Sequence, residues 1–332
     1  MSLSLERILQ TIFSYQRSAA IKAAIELDLF TAIGEGNETT GQLAKRCGAS
    51  ERGIRILADY LVVLELLTKS GSIYGLAPDA AFFLDRRSPG YAGSITRFLL
   101  SPAQTEPFND IAAAVRKGGT TADLTAIAPE HPMWMDFARA MSPIMIPAAH
   151  SIAKLIGAER GEKWKVLDIA AGHGAFGIAI AQRNPNAELV SLDWPNVLKV
   201  AEENAVKAGI GNRFRKLPGD AMKVNFGSDY DIVLITNFLH HFDIPTCESF
   251  LRKVHSSLKR GGRAVTLEFV PNEDRVSPTI PASFSFMMLG TTPAGDAYTL
   301  SQLQEMFRNS GFTRSDQHSL QSSPETVIVS YA

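Results

Sequence analysis

Val166-Leu167-Asp168-Ile169-Ala170-Ala171-Gly172-His173-Gly174-Ala175-Phe176-Gly177 is the stretch that decides how this chain folds. An apolar run passes into glycines and then into helix-forming residues, so it reads as a buried strand, a tight turn and the start of a helix. A turn without side chains lets a ligand lie against the backbone, and the first N–H groups of a helix stand ready to meet it. The spelling Gly172-x-Gly174-x-x-Gly177 fits a dinucleotide-binding turn. Asp168, at the strand end, pulls the other way: a carboxylate there repels a pyrophosphate and favours a ligand with a cationic ammonium and sulfonium.

Downstream, short apolar runs alternate with helical patterns. Strands are expected at 164–170, 187–193, 213–218, 230–236, 262–269, 313–320 and 325–331, with helices near 174–184, 195–208, 246–260 and 299–310. This alternation predicts an α/β, Rossmann-like domain with a mostly parallel seven-stranded sheet covered on both faces. The short link Ser322-Ser323-Pro324 suits a hairpin, so one of the last two strands is expected to run antiparallel.

Upstream, the first hundred residues read mainly as helices. One is expected from Ser18 to Ile33, a second from a capping Thr40 to Gly48, and a third from a capping Ser50 to about Leu67. A hairpin around Ser70-Gly71 follows, completing a winged-helix pattern. Glu51, Arg52, Arg55 and Asp59 give the third helix no basic stripe, so packing between proteins is favoured over DNA. The expected division is a winged-helix dimerisation domain over 1–100, a helical connector contributing to the substrate pocket over 101–160, and a catalytic domain over 161–332. Pro102, Gly118-Gly119, Pro129, Pro132, Pro143 and Pro147 punctuate the connector.

Composition narrows the function. The 332 residues carry 33 basic and 34 acidic side chains, a formal net charge of -1, which argues against a bulk electrostatic grip on nucleic acid. Cys47 and Cys247 lie far apart without metal-ligand spacing and read as reduced thiols. No secretory signal and no apolar run of the roughly 18–20 residues a bilayer requires is evident, so a cytoplasmic protein is expected.

In a parallel sheet, ligands bind beyond the carboxyl ends of the strands. Asp168 ends the first strand. Asp193 ends the second, placed to accept ribose hydroxyls, with Trp194 beside it; its alternative reading is a helix cap. Gly219-Asp220-Ala221-Met222 ends the third, where Asp220 can accept an adenine amino group and Met222 or Trp194 can pack on the ring. Asn237-Phe238-Leu239-His240-His241-Phe242-Asp243 follows the fourth, and Glu268 closes the fifth, able to orient His240 as a proton acceptor. The cofactor expected at Asp168, Gly172, Gly174, Asp193, Trp194, Gly219, Asp220, Met222 and Asn237 is S-adenosylmethionine, with no metal.

Together these residues resemble the class I S-adenosylmethionine-dependent methyltransferases, and more closely the two-domain small-molecule O-methyltransferases acting on caffeate, hydroxyindoles and bacterial polyketides. The resemblance spans nearly the whole chain. It rests on residues 166–177, on Asp193-Trp194-Pro195-Asn196-Val197, on Gly219-Asp220, and on Leu239-His240 with Phe242-Asp243. It implies that His240 is the catalytic base and that Glu268, 28 positions on, orients it. It also implies that Phe137 and Met141 belong to the substrate wall and that the N-terminal domain forms a homodimer. Phe284, Met287 and Met288 are expected to complete the acceptor pocket. Three positions depart from the family: Ala297 stands where a second glutamate is usual, with Asp296 next door as a substitute, Thr236 replaces a lysine, and His241 replaces an acid. The reading that follows is methyl transfer from S-adenosylmethionine to a hydroxyl of a flat apolar acceptor. Open alternatives are a carbon or nitrogen methyltransferase, an NAD-linked oxidoreductase and a winged-helix regulator that senses S-adenosylmethionine.

Overall fold

A computed structural model describes residues 4–122, 132–321 and 323–332. The chain divides into two compact units, Met1–Ser101 and Pro102–Ala332. Pro129 of the expected connector and Ser322 of the expected link lie outside the described residues.

The first unit contains α1 (Leu5–Ile12), α2 (Ser14–Glu26), α3 (Leu29–Gly34), α4 (Thr40–Cys47) and α5 (Glu51–Val63). An antiparallel pair, β1 (Leu67–Ser70) and β2 (Ile73–Leu76), comes next, then α6 (Pro78–Phe83) and α7 (Thr96–Leu99). The helix expected from Ser18 to Ile33 is broken in two. Asp28 adopts a left-handed backbone (φ 57°), and its carboxylate takes ion pairs from Arg46 and Arg86. The cap of α4 is Thr39 rather than Thr40: its hydroxyl accepts the Gln42 N–H while the Gln42 side chain reaches back to the Thr39 N–H. Gly48 closes α4 in the left-handed conformation, and Ser50 caps α5 as expected, although α5 ends at Val63.

The core of this unit is built by the helices near 20–33 and 54–67, through Ala24, Leu29, Phe30, Ile54, Ala58 and Leu61. Exposed apolar side chains remain on α1, at Leu5, Ile8, Leu9 and Ile12, and on α5, at Ile56 and Val63.

The second unit contains α8 (Pro102–Thr105), α9 (Ile111–Lys117), α10 (Pro132–Leu155), β3 (Lys165–Ile169), α11 (Ala175–Arg183), β4 (Glu188–Asp193), α12 (Val197–Lys207) and β5 (Phe214–Pro218). It continues through β6 (Tyr230–Thr236), α13 (Ile244–Ser257), β7 (Leu258–Glu268), α14 (Thr279–Thr291), α15 (Leu300–Asn309), β8 (Arg314–Ser319) and β9 (Thr326–Tyr331). Sheet order is β5-β4-β3-β6-β7-β9-β8; β9 pairs antiparallel with both neighbours and the other pairs are parallel. Strands β3 and β6 sit at the centre and are nearly all buried, because helices cover both faces. One face carries Ile152, Trp164, Phe176, Ile180 and Leu189; the other carries Leu167, Leu239, Phe250, Leu251 and Phe307. α10 runs through Pro143 and Pro147, which the sequence reading took as punctuation. Among the described residues, no helix is long and apolar enough to cross a membrane.

Candidate active site

The carboxyl ends of β3, β4, β6 and β7 open on one side of the sheet, where the order reverses from β3-β4 to β3-β6. The turn after β3 is shaped by backbone conformations that a side chain resists: Ala170, Gly172 and Gly174 have φ of 52°, 56° and 75°. A Cβ on Gly172 would project into open space, its nearest neighbour 3.9 Å away, so this glycine leaves room over the turn. Gly177 has a different task. A Cβ there would stand 2.5 Å from Leu189 Cδ1 and 2.9 Å from Asp168 Oδ2, so it permits α11 to press on β4.

The N–H groups of this turn are already engaged, contrary to the sequence expectation. Gly172 donates to Asp193 Oδ2 (2.8 Å), Gly174 to Ala171 O (2.7 Å), Ala175 to His173 Nδ1 (3.0 Å) and Gly177 to Asp168 Oδ2 (3.1 Å). These donors do not await a phosphate. Asp168 is wholly buried beneath the turn, and its Oδ1 has no partner. Burial, with the nearby Asp193 charge, pushes Asp168 up to about 8. Burial pushes Asp193 up to about 6, opposed by N–H bonds from Gly172 and Trp194. Each Asp193 oxygen accepts one backbone N–H and keeps lone-pair capacity toward the crevice. Asp193, with acceptor capacity left on both oxygens, beside an uncluttered glycine turn suits a ligand bearing hydroxyls, so the residues fit S-adenosylmethionine.

Trp194 packs with Trp134, Met135, Ala138, Val197 and Val200. Met222 packs on the core that holds Phe250 and borders a cavity of 490 Å³ with Pro245, Thr246, Ser249, Phe250 and Lys253. Gly219 turns with φ 140°, and Asp220 Oδ1 accepts the Met222 N–H at 2.9 Å.

Beyond β6, a single 3₁₀ turn, Leu239–His241, carries the base candidate. Glu268 reaches across from β7: Oε1 accepts Phe238 N–H (2.9 Å) and Leu239 N–H (2.8 Å), and Oε2 meets His240 Nδ1 at 2.5 Å. His240 and Glu268 are 5% and 3% exposed, so the pair is shielded from water. A carboxylate that accepts at Nδ1 places the ring proton there and leaves the Nε2 lone pair free. Phe284 of α14 meets the His240 ring edge-on at 4.9 Å and stacks on Phe269 at 4.1 Å. His241 lies 4.3 Å from the same ring; burial, then the adjacent His240, hold it well below the usual histidine range. Gly295 approaches so closely that a Cβ would fall 2.1 Å from His240 O. Asp296 does not substitute for the glutamate absent at 297, since it pairs with Arg275 at 3.0 Å and Ala297 is wholly buried.

Of the expected acceptor wall, Met141 and Met288 are buried and Phe137 and Met287 half-buried, on α10 and α14. Two buried groups escaped the sequence reading. His173 looked like a spacer between glycines, yet its Nδ1 holds the first N–H of α11. Glu325 is 3% exposed just ahead of β9; its only sequence signal was its place at a strand start. Among the described residues, no group of three or more His, Cys, Asp or Glu could hold a metal ion.

Comparison with known proteins is consistent with this geometry. An O-methyltransferase domain matches residues 118–313 and an O-methyltransferase dimerisation domain matches residues 9–86. The tetracenomycin polyketide synthesis 8-O-methyl transferase of Streptomyces glaucescens is 27% identical over 325 residues, 92% of this chain and 91% of that protein. The L-tyrosine C(3)-methyltransferase of Streptomyces lavendulae is 30% identical over 153 residues, 45% of this chain and 41% of that protein. A crystal structure of a candidate O-methyltransferase from Nostoc punctiforme is 50% identical, with a TM-score of 0.96 and full coverage of both chains. The chain belongs to the S-adenosylmethionine-dependent O-methyltransferase family, and the nicotinamide and regulator readings of its sequence give way to this assignment.

Gly177→Ala should lower stability by about 1–3 kcal/mol, the usual range for an overpacked core, read as a drop in urea midpoint without a change in slope. A midpoint equal to that of the unaltered chain would mean that α11 does not press on β4 as described.

Proposed function

We propose that this enzyme moves the methyl group of S-adenosylmethionine to a hydroxyl oxygen of a flat, largely apolar acceptor of aromatic, quinone or polyketide type, with His240 as general base. The observation that carries this reading is the buried His240–Glu268 pair with Phe284 against the imidazole. When bound, S-adenosylmethionine supplies a methyl group already activated by its positive sulfur. The chain's own tasks are then alignment, exclusion of water and removal of one proton.

Asp193 receives the ribose hydroxyls, and Asp220 and Met222 the adenine end. Gly172, Gly174 and Gly219 keep the backbone clear, Trp194 and Asn237 flank the crevice, and Asp168 steadies the turn from beneath by accepting the Gly177 N–H. Phe137, Met141, Phe284, Met287 and Met288 form the acceptor wall. His240 Nε2 would take the hydroxyl proton, freeing the acceptor oxygen to receive the methyl group that S-adenosylmethionine would supply, with the sulfur–methyl bond broken and S-adenosylhomocysteine as the leaving group. Glu268 holds the other ring nitrogen and steadies the imidazolium. His241, kept neutral, adds no competing positive charge.

His240→Ala should lower turnover by about 10²–10⁴ and leave S-adenosylmethionine affinity unchanged by calorimetry. The acceptor for this assay is found first by screening phenols, quinones and polyketide-like compounds for S-adenosylhomocysteine release. The similarity to a C(3)-methyltransferase keeps a carbon acceptor as the second reading. Full turnover in His240→Ala, with the methyl located on carbon by mass spectrometry, selects it.

Asp193 gives a pH prediction. Its folded value of about 6 stands above the ordinary 3.8, so burying the ionised group costs stability above about 6, and that cost fades as pH falls toward 3.8. Ligand binding runs oppositely, because only the ionised group accepts both hydroxyls. Affinity for S-adenosylmethionine should fall between pH 7.5 and pH 5, and Asp193→Asn should bind weakly with a flatter profile. Equal profiles for the two proteins would remove Asp193 from the ribose site.

The first unit is proposed to pair two copies of the chain. The dimerisation-domain match and the exposed apolar face of α1 support this. Sedimentation at micromolar concentration should give a dimer, and Leu5→Asp with Ile12→Asp should shift it toward monomer.

A further inference from the structure

Glu325 is a buried carboxyl group that the reaction above does not use. It precedes Thr326, which lies opposite Glu268 in the β7–β9 ladder, so it stands at the crevice end of the sheet. It is 3% exposed. Its Oε2 accepts the Ser323 hydroxyl at 2.6 Å, while its Oε1 is buried without a partner. The Asn237 side chain lies within hydrogen-bonding reach of this carboxyl group, and Asn237 Oδ1 is likewise buried without a partner.

Two buried acceptors left without donors are costly. One proton satisfies both. A carboxylic acid donates its O–H to an amide oxygen while the amide N–H donates to the acid's second oxygen; a carboxylate has no proton to give. Burial favours the protonated acid, and the bonds from Ser323 and Asn237 oppose it without reversing the direction. Other donors near the turn are committed: Cys247 Sγ points at Leu239 O, and the Tyr298 hydroxyl donates to Phe242 O.

The position of Asn237 gives this pair a purpose. Asn237 has φ 54°, a left-handed conformation that asparagine adopts more readily than most side-chain-bearing residues. It stands one residue before Phe238, the cap of the 3₁₀ turn bearing His240. We propose that Glu325 is a positioning residue: it keeps its proton, pairs with Asn237 at two points, and so fixes the left-handed step that leads into the His240 turn. This role rests on His240 being the base.

The test uses the full chain saturated with S-adenosylhomocysteine. In ¹³C spectra of glutamate-labelled protein at pH 7, the carboxyl signal that disappears in Glu325→Gln is expected at the neutral-acid position. In ¹⁵N spectra of histidine-labelled protein, the His240 signals, assigned by their loss in His240→Asn, should stay in place in Glu325→Gln, whose amide can make the same two-point pair. They should be displaced or broadened in Glu325→Ala. A Glu325 signal at the carboxylate position overturns the proposal, as does a Gln variant displaced as far as the Ala variant, or His240 signals that neither variant moves. Should Glu325→Ala not fold, the carbon signal and the Gln variant still decide. Full turnover in His240→Ala would end the base assignment while leaving these signals unchanged, so the two failures are separable.

Discussion

Glu268 is the group around which the segment after β6 is organised. A carboxylate removed from water is tolerable only when its oxygens are met by donors. Here three donors arrive from one short segment: the N–H groups of Phe238 and Leu239 and the ring of His240. The same atoms that make the buried charge tolerable therefore set the path of the chain after β6. Were Glu268 an isosteric apolar residue, the turn would lose both its backbone anchors and the ring its orientation. Position and chemistry are fixed together, which is the preorganisation that a proton transfer requires.

Much of the second unit was legible in the residues. All seven strands fall within a few residues of their expected ranges, and the inner ones, such as β3 and β6, were marked by Val, Ile and Leu because strands covered on both faces must be apolar throughout, whereas the edge strands β5 and β8 carry polar residues. The antiparallel partner at the end was legible from the short Ser-Ser-Pro link. The buried His240–Glu268 pair was legible because strand ends are where side chains can reach a ligand.

What the residues hid was relational. Periodicity gave one helix from Ser18 to Ile33, since the left-handed step at Asp28 is held by arginines 18 and 58 positions away. Proline is a reliable sign of a break only when the surrounding packing agrees, and α10 continues through two of them. The glycine turn looked open because its spelling does not reveal that Asp168 and Asp193 close its N–H groups from below and beside. Glu325 escaped notice because Asn237 comes near it only after β9 has been laid beside β7; Ser323, two residues away, is a local contact.

That insertion of β9 has a practical side. Because it runs against its neighbours, its first residue borders the reaction centre, and Tyr331 lies opposite Arg263, toward the far edge of the sheet. Five steps of extended chain, roughly 17 Å, separate the two ends. An affinity tag or a fused reporter joined after Ala332 would thus emerge from the rear of the domain, well clear of the crevice, whereas an insertion between β8 and β9 would open directly onto it.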